Sequence, residues 1–224
     1  MAKHGFTLAE VLVTLGIIGV VSALTIPTLV KNHQRQVYVT QLQKVVNELS
    51  QAADKAITDS NAVSLDETRY GTNKVNGASN FLNDYFKIVK DCGETATPCF
   101  ADNYEDLSGN TVELETPIIA VSLASGASIS IWSAHYFSPY QDNIYQYHSY
   151  YSLQIDVNGA QGTNIAGRDL FGFEIYNDGK VSSSYNGDGY TDDYLLETCL
   201  TTSTGSYGAT CFAKIVQDGW KMDY

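Results

Sequence analysis

The chain has 224 residues, enough for one globular domain of ordinary size and an additional non-globular segment. Its 13 Lys and Arg residues against 25 Asp and Glu give a formal net charge of −12, which excludes a bulk nucleic-acid-binding surface. Hydrophobic residues make up 44% of the chain and charged residues 17%, and this balance favours a folded core over disorder.

Residues 6–30 form an apolar segment in which Glu10 is the only formally charged side chain. As a helix, this segment would be roughly 37 Å long at about 1.5 Å per residue, enough to cross a bilayer. Three interpretations compete: a buried core helix, an ordinary secretory signal peptide, and a membrane anchor behind a very short leader. The buried core helix is disfavoured, because such a helix rarely starts at the N-terminus with an apolar surface all round.

An ordinary signal peptide is the more serious alternative. Lys3 and His4 provide a short basic region, and Ala23 ends a run of small residues where signal peptidase would cut. A carboxylate at Glu10 is unusual in such a segment, and the apolar character continues through Val30. The anchor is therefore favoured, and the alternative is a soluble exported binding protein.

The residues Gly5-Phe6-Thr7-Leu8-Ala9-Glu10, followed by the apolar run and Pro27, resemble the N-terminus of type IV pilins and of type II secretion pseudopilins. The resemblance implies that a prepilin peptidase cleaves after Gly5 and methylates Phe6. It also implies insertion in the bacterial inner membrane, then assembly with identical or homologous subunits into an extracellular or periplasmic filament. A pilus subunit is the predicted function, and a secretion pseudopilin is the alternative.

Glu10 and Pro27 are the predicted assembly residues beside Phe6. In an apolar bundle of helices, the ammonium group of Phe6 in one subunit needs a partner, which Glu10 of a neighbour supplies; a wrong stagger leaves both charges unpaired. The alternative is that Glu10 reaches the lipid headgroups. Pro27 removes a backbone donor, which predicts a bent or locally melted helix over residues 23–26.

The predicted organisation is a leader (1–5), a membrane or filament-core helix (6–30), the amphipathic half of the same helix (31–58) and a globular head (59–224). The amphipathic half is predicted from apolar residues at three- and four-residue steps: Leu42, Val45, Val46, Leu49, Ala53, Ala56 and Ile57. We expect this apolar stripe to pack on a sheet.

The head is predicted to be largely an antiparallel sheet. Residues 59–80 are rich in polar and turn-forming residues and predict a loop, with a short helix over 80–89. Strands are predicted at 118–123, 129–132, 145–157 and 171–175, and a turn at Asn177-Asp178-Gly179. The fold class is thus α+β and pilin-like, with a long N-terminal helix packed on an antiparallel sheet.

Four cysteines in a chain without zinc-finger spacing predict two disulfides formed outside the cytosol. Three pairings exist. Cys92 with Cys99 and Cys199 with Cys211 are favoured, because each pair closes a short loop of turn-forming residues. The second loop also resembles the disulfide-bounded C-terminal region of pilins.

Two acidic loops are candidates for calcium, the only cofactor that the sequence brings into question. The first carries Asp156, Asn158, Asn164 and Asp169, and the second carries Asp188, Asp192 and Asp193. The first loop lacks the bidentate Glu of an EF-hand, so a glycine- and Asx-rich turn without an ion is the favoured interpretation.

No catalytic motif accompanies these features. The sequence has no GxSxG, HExxH or P-loop pattern, so an enzyme is not expected. The tyrosine-rich stretch 136–151 is predicted to pack mainly in the core, while Tyr150 and His148, on the other strand face, are the better candidates for an interface.

Overall fold

The structure of the protein, a computed structural model, describes residues 7–71, 74–134, 149–183, 190–201 and 208–224. Contacts divide the chain into two units, one ending at Val37 and the other comprising Tyr38–Tyr224. Helix α1 (Leu8–Asp59) begins in the first unit and ends in the second, as a single helix of 52 residues. The predicted long N-terminal helix is confirmed.

The C-terminal half of α1 is amphipathic, as the periodicity predicts. Its buried positions recur at three- and four-residue steps and face the sheet: Tyr38, Val39, Leu42, Val45, Val46, Leu49, Ala52, Ala53 and Ala56. Leu42, Leu49, Ala53 and Ala56 are fully buried.

Within the described residues, six strands form an antiparallel sheet in the order β1-β4-β5-β6-β7-β8, and β2 and β3 form a separate pair. The bounds are β1 (Ile88–Gly93), β2 (Tyr104–Glu105), β3 (Thr111–Val112), β4 (Ile119–Leu123), β5 (Ser128–Ala134), β6 (Ser149–Asp156), β7 (Leu170–Tyr176) and β8 (Val181–Ser182). The register places Ile131 opposite Leu153 and Leu153 opposite Phe173. These cross-strand neighbours belong to the core that also contains α1.

The predicted hairpin is confirmed as β4 and β5, and the predicted turn after β7 is also present. The Tyr176 N–H donates to the Lys180 carbonyl at 2.7 Å. Gly179 has a φ of +85°, a conformation that glycine adopts without a Cβ clash. The predicted strand over 145–157 corresponds to β6, and its Tyr145 and Tyr147 lie outside the described residues.

Helix α2 (Lys74–Tyr85) lies earlier in the chain than predicted. The 59–80 segment, predicted as a loop, contains a 3-10 turn (Leu65–Glu67) and the first half of α2, whereas Val89 belongs to β1. A Cβ at Gly77 would lie 2.0 Å from the Tyr70 carbonyl oxygen. Close packing of this glycine against the preceding loop outweighs its low helix propensity, which is why the prediction was wrong.

Two C-terminal helices were not predicted: α3 (Asp192–Thr201) and α4 (Ala209–Gln217). Helix α4 packs on β7, where the Phe212 and Phe173 rings stack with their centroids 4.7 Å apart. Helix α3 packs on α4. Both helices therefore lie toward the β7 end of the sheet.

Candidate functional site

The N-terminal part of α1 exposes an apolar surface. Thirteen large apolar side chains between Leu8 and Val30 are 43% to 80% exposed: Leu8, Val11, Leu12, Val13, Leu15, Ile17, Ile18, Val20, Val21, Leu24, Ile26, Leu29 and Val30. By length and composition, α1 is apolar enough to cross a membrane, with a mean hydropathy of 2.2 over a window of which none is buried. An exposed apolar surface of this extent is typical of a segment that a membrane or other apolar helices cover.

Thr7 and Glu10 form a reciprocal capping box at the start of α1. The Glu10 carboxylate accepts hydrogen bonds from the Thr7 backbone N–H at 2.7 Å and from its hydroxyl at 2.9 Å. In return, the Glu10 N–H donates to Thr7 Oγ1 at 3.3 Å. The capping box thereby holds the Glu10 carboxylate at the N-terminal end of α1, four residues after Phe6 in the sequence. Thr7 is a site residue that was not predicted, although the Thr-x-x-Glu spacing signals such a cap.

The prediction at Pro27 was a helix either bent or locally melted over residues 23–26. Helix α1 continues through Pro27, so the melted turn is wrong, and the bend stays a prediction. Proline in a helix interior costs about 3 kcal/mol. Melting a turn would instead leave several backbone groups without partners in an apolar environment, each costing a comparable amount. Nearby, the Thr25 hydroxyl donates to the Val21 carbonyl at 2.9 Å, so this polar side chain is also satisfied within the helix.

The model of the prokaryotic N-terminal methylation motif matches residues 1–26. The chain carries the N-terminal signature of type IV pilins and pseudopilins. No curated protein and no solved structure matches the chain. The pilin signature therefore rests on the N-terminal segment, and it agrees with a long apolar helix followed by an α+β unit. The motif points to a structural protein rather than an enzyme.

The predicted processing residues of this pilin-like chain, Gly5 and Phe6, lie outside the described residues but inside the matched motif. Of the predicted assembly residues, Glu10 lies in the first turn of α1 and Pro27 in its interior. Glu10 and Pro27 are 17 positions apart on one helix, so the structure does not bring them together.

Disulfides join Cys92 to Cys99 and Cys199 to Cys211, the pairing that the sequence favours. The described residues contain no free cysteine. The first bridge ties the end of β1 to the segment before β2, and the second ties α3 to α4. Cys99, Cys199 and Cys211 are buried, so both bridges stabilise the C-terminal unit from within its apolar clusters.

The first acidic loop is held closed by its own hydrogen bonds. Asp169 is fully buried, and its carboxylate accepts from the Thr163 hydroxyl at 2.6 Å and from the backbone N–H groups of Asn164 and Ile165 at 2.8 and 2.6 Å. Asp156, also fully buried, accepts from the Tyr104 hydroxyl and from the Asn158 N–H. This geometry is that of an Asx-type turn joining β6 to β7.

The same loop is a poor fit for calcium. Asn158 and Asn164 each keep a buried Oδ1 without a partner, but two neutral oxygens fall short of the six to eight that calcium takes. Burial raises the pKa of Asp156 to about 7; the Tyr104 hydrogen bond opposes the rise and the Asp169 charge adds to it. Among the described residues, no group of three or more His, Cys, Asp or Glu is placed to hold a metal ion.

The second acidic loop is only partly within the described residues, because Asp188 lies outside them. Asp192 begins α3, and its Oδ1 lies 2.8 Å from Nζ of Lys214. Asp193 is exposed. Of the two described carboxylates, one is therefore committed to an ion pair and the other faces solvent. Calcium binding at this loop stays a prediction.

The prediction that Tyr150 contributes to an interface is wrong, because only 2% of this residue is exposed. Its ring packs against Tyr151, with the centroids 4.5 Å apart. His148, the other residue of that prediction, lies outside the described residues. A register irregularity between Ser149 and Tyr151 interrupts the strand alternation here, and both tyrosines belong to the core that contains α1.

Proposed function

We propose that this chain is a structural subunit of a type IV pilus or pilus-like filament. It enters the inner membrane as a prepilin, is cleaved after Gly5 by a prepilin peptidase and is N-methylated on Phe6. It then polymerises through α1 with identical or homologous subunits, in an extracellular or periplasmic filament.

The exposed apolar surface of α1 is the observation that carries this proposal. Burying a large aliphatic side chain contributes about 1.5–3 kcal/mol, so thirteen exposed ones provide a strong drive toward an apolar environment. The bilayer supplies that environment before assembly, and the α1 helices of neighbouring subunits supply it afterwards. The methylation motif supports the same course, since it places a processing site immediately before this helix.

Glu10 gives the assembly its axial register in this proposal. The capping box holds its carboxylate at the first turn, where the ammonium group of a neighbour's Phe6 reaches it when the two helices are correctly staggered. A buried ion without its partner is strongly destabilising, so subunits with the wrong stagger are rejected even if the correct pair adds little net stability.

Intact-mass analysis of the native chain tests the proposal. We expect a mature polypeptide that begins at a methylated Phe6, retains all of α1 and contains two disulfides, both in the membrane and in sheared filaments. A mature chain that begins after Ala23 would overturn the proposal in favour of a soluble exported binding protein with an ordinary signal peptide.

A type II secretion pseudopilin is the second candidate, because the methylation motif is common to pilins and pseudopilins. It uses the same processing and the same helix-mediated assembly, but serves protein export. A deletion strain separates the two functions: loss of surface filaments with normal export supports the pilus, and loss of export without loss of surface filaments supports the pseudopilus.

A further inference from the structure

A groove lies between α1, the end of α2 and the β4–β5 turn, all within the Tyr38–Tyr224 unit. Its volume is about 530 Å³. The apolar part of its lining comprises Ala52, Phe86 and Leu123, and the polar part comprises Lys44, Glu48, Gln51, Lys55 and Lys87. The lining thus combines the buried Ala52 and Leu123 and the half-buried Phe86 with a mainly basic polar part.

The basic character is unusual in a chain with a net charge of −12. Three lysines line the groove, together with a single carboxylate, that of Glu48. Lys44 lies 3.7 Å from Glu48 and Lys55 lies 2.6 Å from Asp59, but these are i,i+4 pairs whose side chains are between 37% and 62% exposed. Exposed pairs of this kind contribute at most about 1 kcal/mol, so they leave the lysines available to a better-placed acidic partner.

Helix α3 presents the complementary chemistry. Asp193, Tyr194, Glu197 and Leu200 share one face of this helix, and all four are exposed, Tyr194 by 44% and Leu200 by 37%. Among the described residues, neither Asp193 nor Glu197 forms an ion pair. Like charges four residues apart destabilise a helix slightly, so these two carboxylates gain from an external cation.

The groove and the α3 face lie toward opposite ends of the main sheet. The groove adjoins β1 and the β4–β5 turn, whereas α3 packs on α4, which packs on β7. Strands β1 and β7 are separated by four steps in the sheet, about 19 Å at 4.8 Å per step. Different patches at opposite ends form a heterologous contact, the kind that propagates into a helical filament rather than closing a dimer.

We propose that the groove binds the α3 face of a second copy of this chain. Lys55 and Lys87 pair with Asp193 and Glu197 of that copy, and the Tyr194 ring contacts the half-buried Phe86 and the exposed Ala124. This inference rests on the proposed function, since it describes how the C-terminal units of neighbouring filament subunits touch. It adds a second, charge-selective contact to the one made by α1.

Charge reversal in the full-length chain tests the contact. We expect Lys87→Glu and Glu197→Lys each to reduce filament yield at least about tenfold, the effect of losing a well-placed interface charge pair. The double variant Lys87→Glu/Glu197→Lys restores the opposite charges and should recover most of the yield. The matched controls are Lys180→Glu, whose side chain is 79% exposed at the β7–β8 turn, and Glu113→Lys, at an exposed position just after β3; both should assemble normally.

Crosslinking provides the second measurement. With the native cysteines in disulfides, Ser125→Cys at the groove and Glu197→Cys on α3 introduce two free thiols. A short bismaleimide should link subunits into ladders in filaments of this double variant. The control Ser125→Cys/Glu113→Cys should give none.

Three results would each overturn the contact, provided that the unaltered chain forms filaments. They are normal assembly of both single charge variants, a correctly folded double variant with both disulfides whose filament yield is not restored, and the absence of crosslinked ladders. If the unaltered chain forms no filament in its own cell, the proposed function itself fails, and this interface fails with it.

Discussion

Nζ of Lys214 lies 2.8 Å from Oδ1 of Asp192 and therefore joins α4 to the first turn of α3. The same ammonium group lies 2.5 Å from a carboxylate oxygen of Asp218, and the Lys214 side chain is only 9% exposed. Burial by itself lowers the pKa of Lys214, but its hydrogen bonds to Asp192 and Asp218 outweigh burial and raise the pKa above its ordinary value. A cation thus links the two C-terminal helices beside their disulfide.

Replacing Lys214 by Met should destabilise the C-terminal unit. Met fills the space of the lysine stem but leaves Asp192 and Asp218 without their cation. Since those carboxylates are 58% and 26% exposed, water compensates part of the loss, and we expect about 1–2 kcal/mol. Chemical denaturation of the full chain in detergent measures it. Lys221→Met, at an exposed position, is the control, and an equal effect there would contradict the role of the ion triad.

Glu10 and Thr7 allow the charge of the assembly site to be separated from the helix cap. Glu10→Gln retains a side chain that accepts the Thr7 hydrogen bonds but removes the charge, so we expect normal membrane insertion and loss of filaments. Thr7→Val removes the hydroxyl of the cap and keeps the carboxylate, and should preserve assembly. Filament yield and membrane fractionation are the measurements; filaments of normal yield from Glu10→Gln would refute charge pairing.

Asp156 should make folding depend on pH. Its pKa of about 7 in the folded chain exceeds the value near 4 of an unfolded aspartate, so between these values the folded state holds a proton that the unfolded state releases. This contribution to stability is complete below about pH 4 and is lost as the pH rises to about 7, by up to about 4 kcal/mol. Denaturation curves at pH 5 and pH 8 cover about two of these three pH units and should differ by about 3 kcal/mol. Asp156→Asn, which does not titrate, should remove this difference.

Asp169 closes the β6–β7 loop, and its loss should be costly. Asp169→Ala leaves the Thr163 hydroxyl and two backbone N–H groups without an acceptor, so we expect a loss of about 3 kcal/mol or more. Asp169→Asn keeps one acceptor oxygen and should cost less. Thermal unfolding of both variants checks the order, and an alanine variant as stable as the native chain would be incompatible with this account.

Calcium should not stabilise the first acidic loop. The oxygens of Asp156 and Asp169 already accept hydrogen bonds from the protein, so we expect no rise in melting temperature when calcium is added to the chelator-treated full chain. A rise that disappears in Asp169→Asn would place calcium in that loop after all. A rise that persists there but disappears in Asp193→Asn would assign it to the second loop.

Local patterns were sufficient for much of the fold. The apolar run before Val30, the stripe from Leu42 to Ala56 and the turn at Gly179 each depend on neighbours in sequence, and each is present in the structure. The two disulfide pairings were also predicted correctly, because each joins cysteines at the ends of a short loop. The helical start of α2 was not predicted: Gly77 packs so closely against Tyr70 that a side chain would not fit, a reason for glycine in a helix that no local pattern reveals. Helices α3 and α4 were missed because they span only ten and nine residues, too few for a helical period to be distinguished from a strand or a turn-rich segment.

By itself, the sequence determined the processing motif, the apolar helix and its single carboxylate, because these are properties of a contiguous segment whose polarity contrasts with everything around it. Only the tertiary structure decided what the remaining polar side chains do. Asp192 pairs with Lys214, and Asp156 accepts a hydrogen bond from the Tyr104 hydroxyl. Tyr150 is buried, and two lysines of α1 meet Lys87, which precedes β1, at one groove. Each depends on residues far apart in the chain, and charge and burial act through space rather than along the sequence.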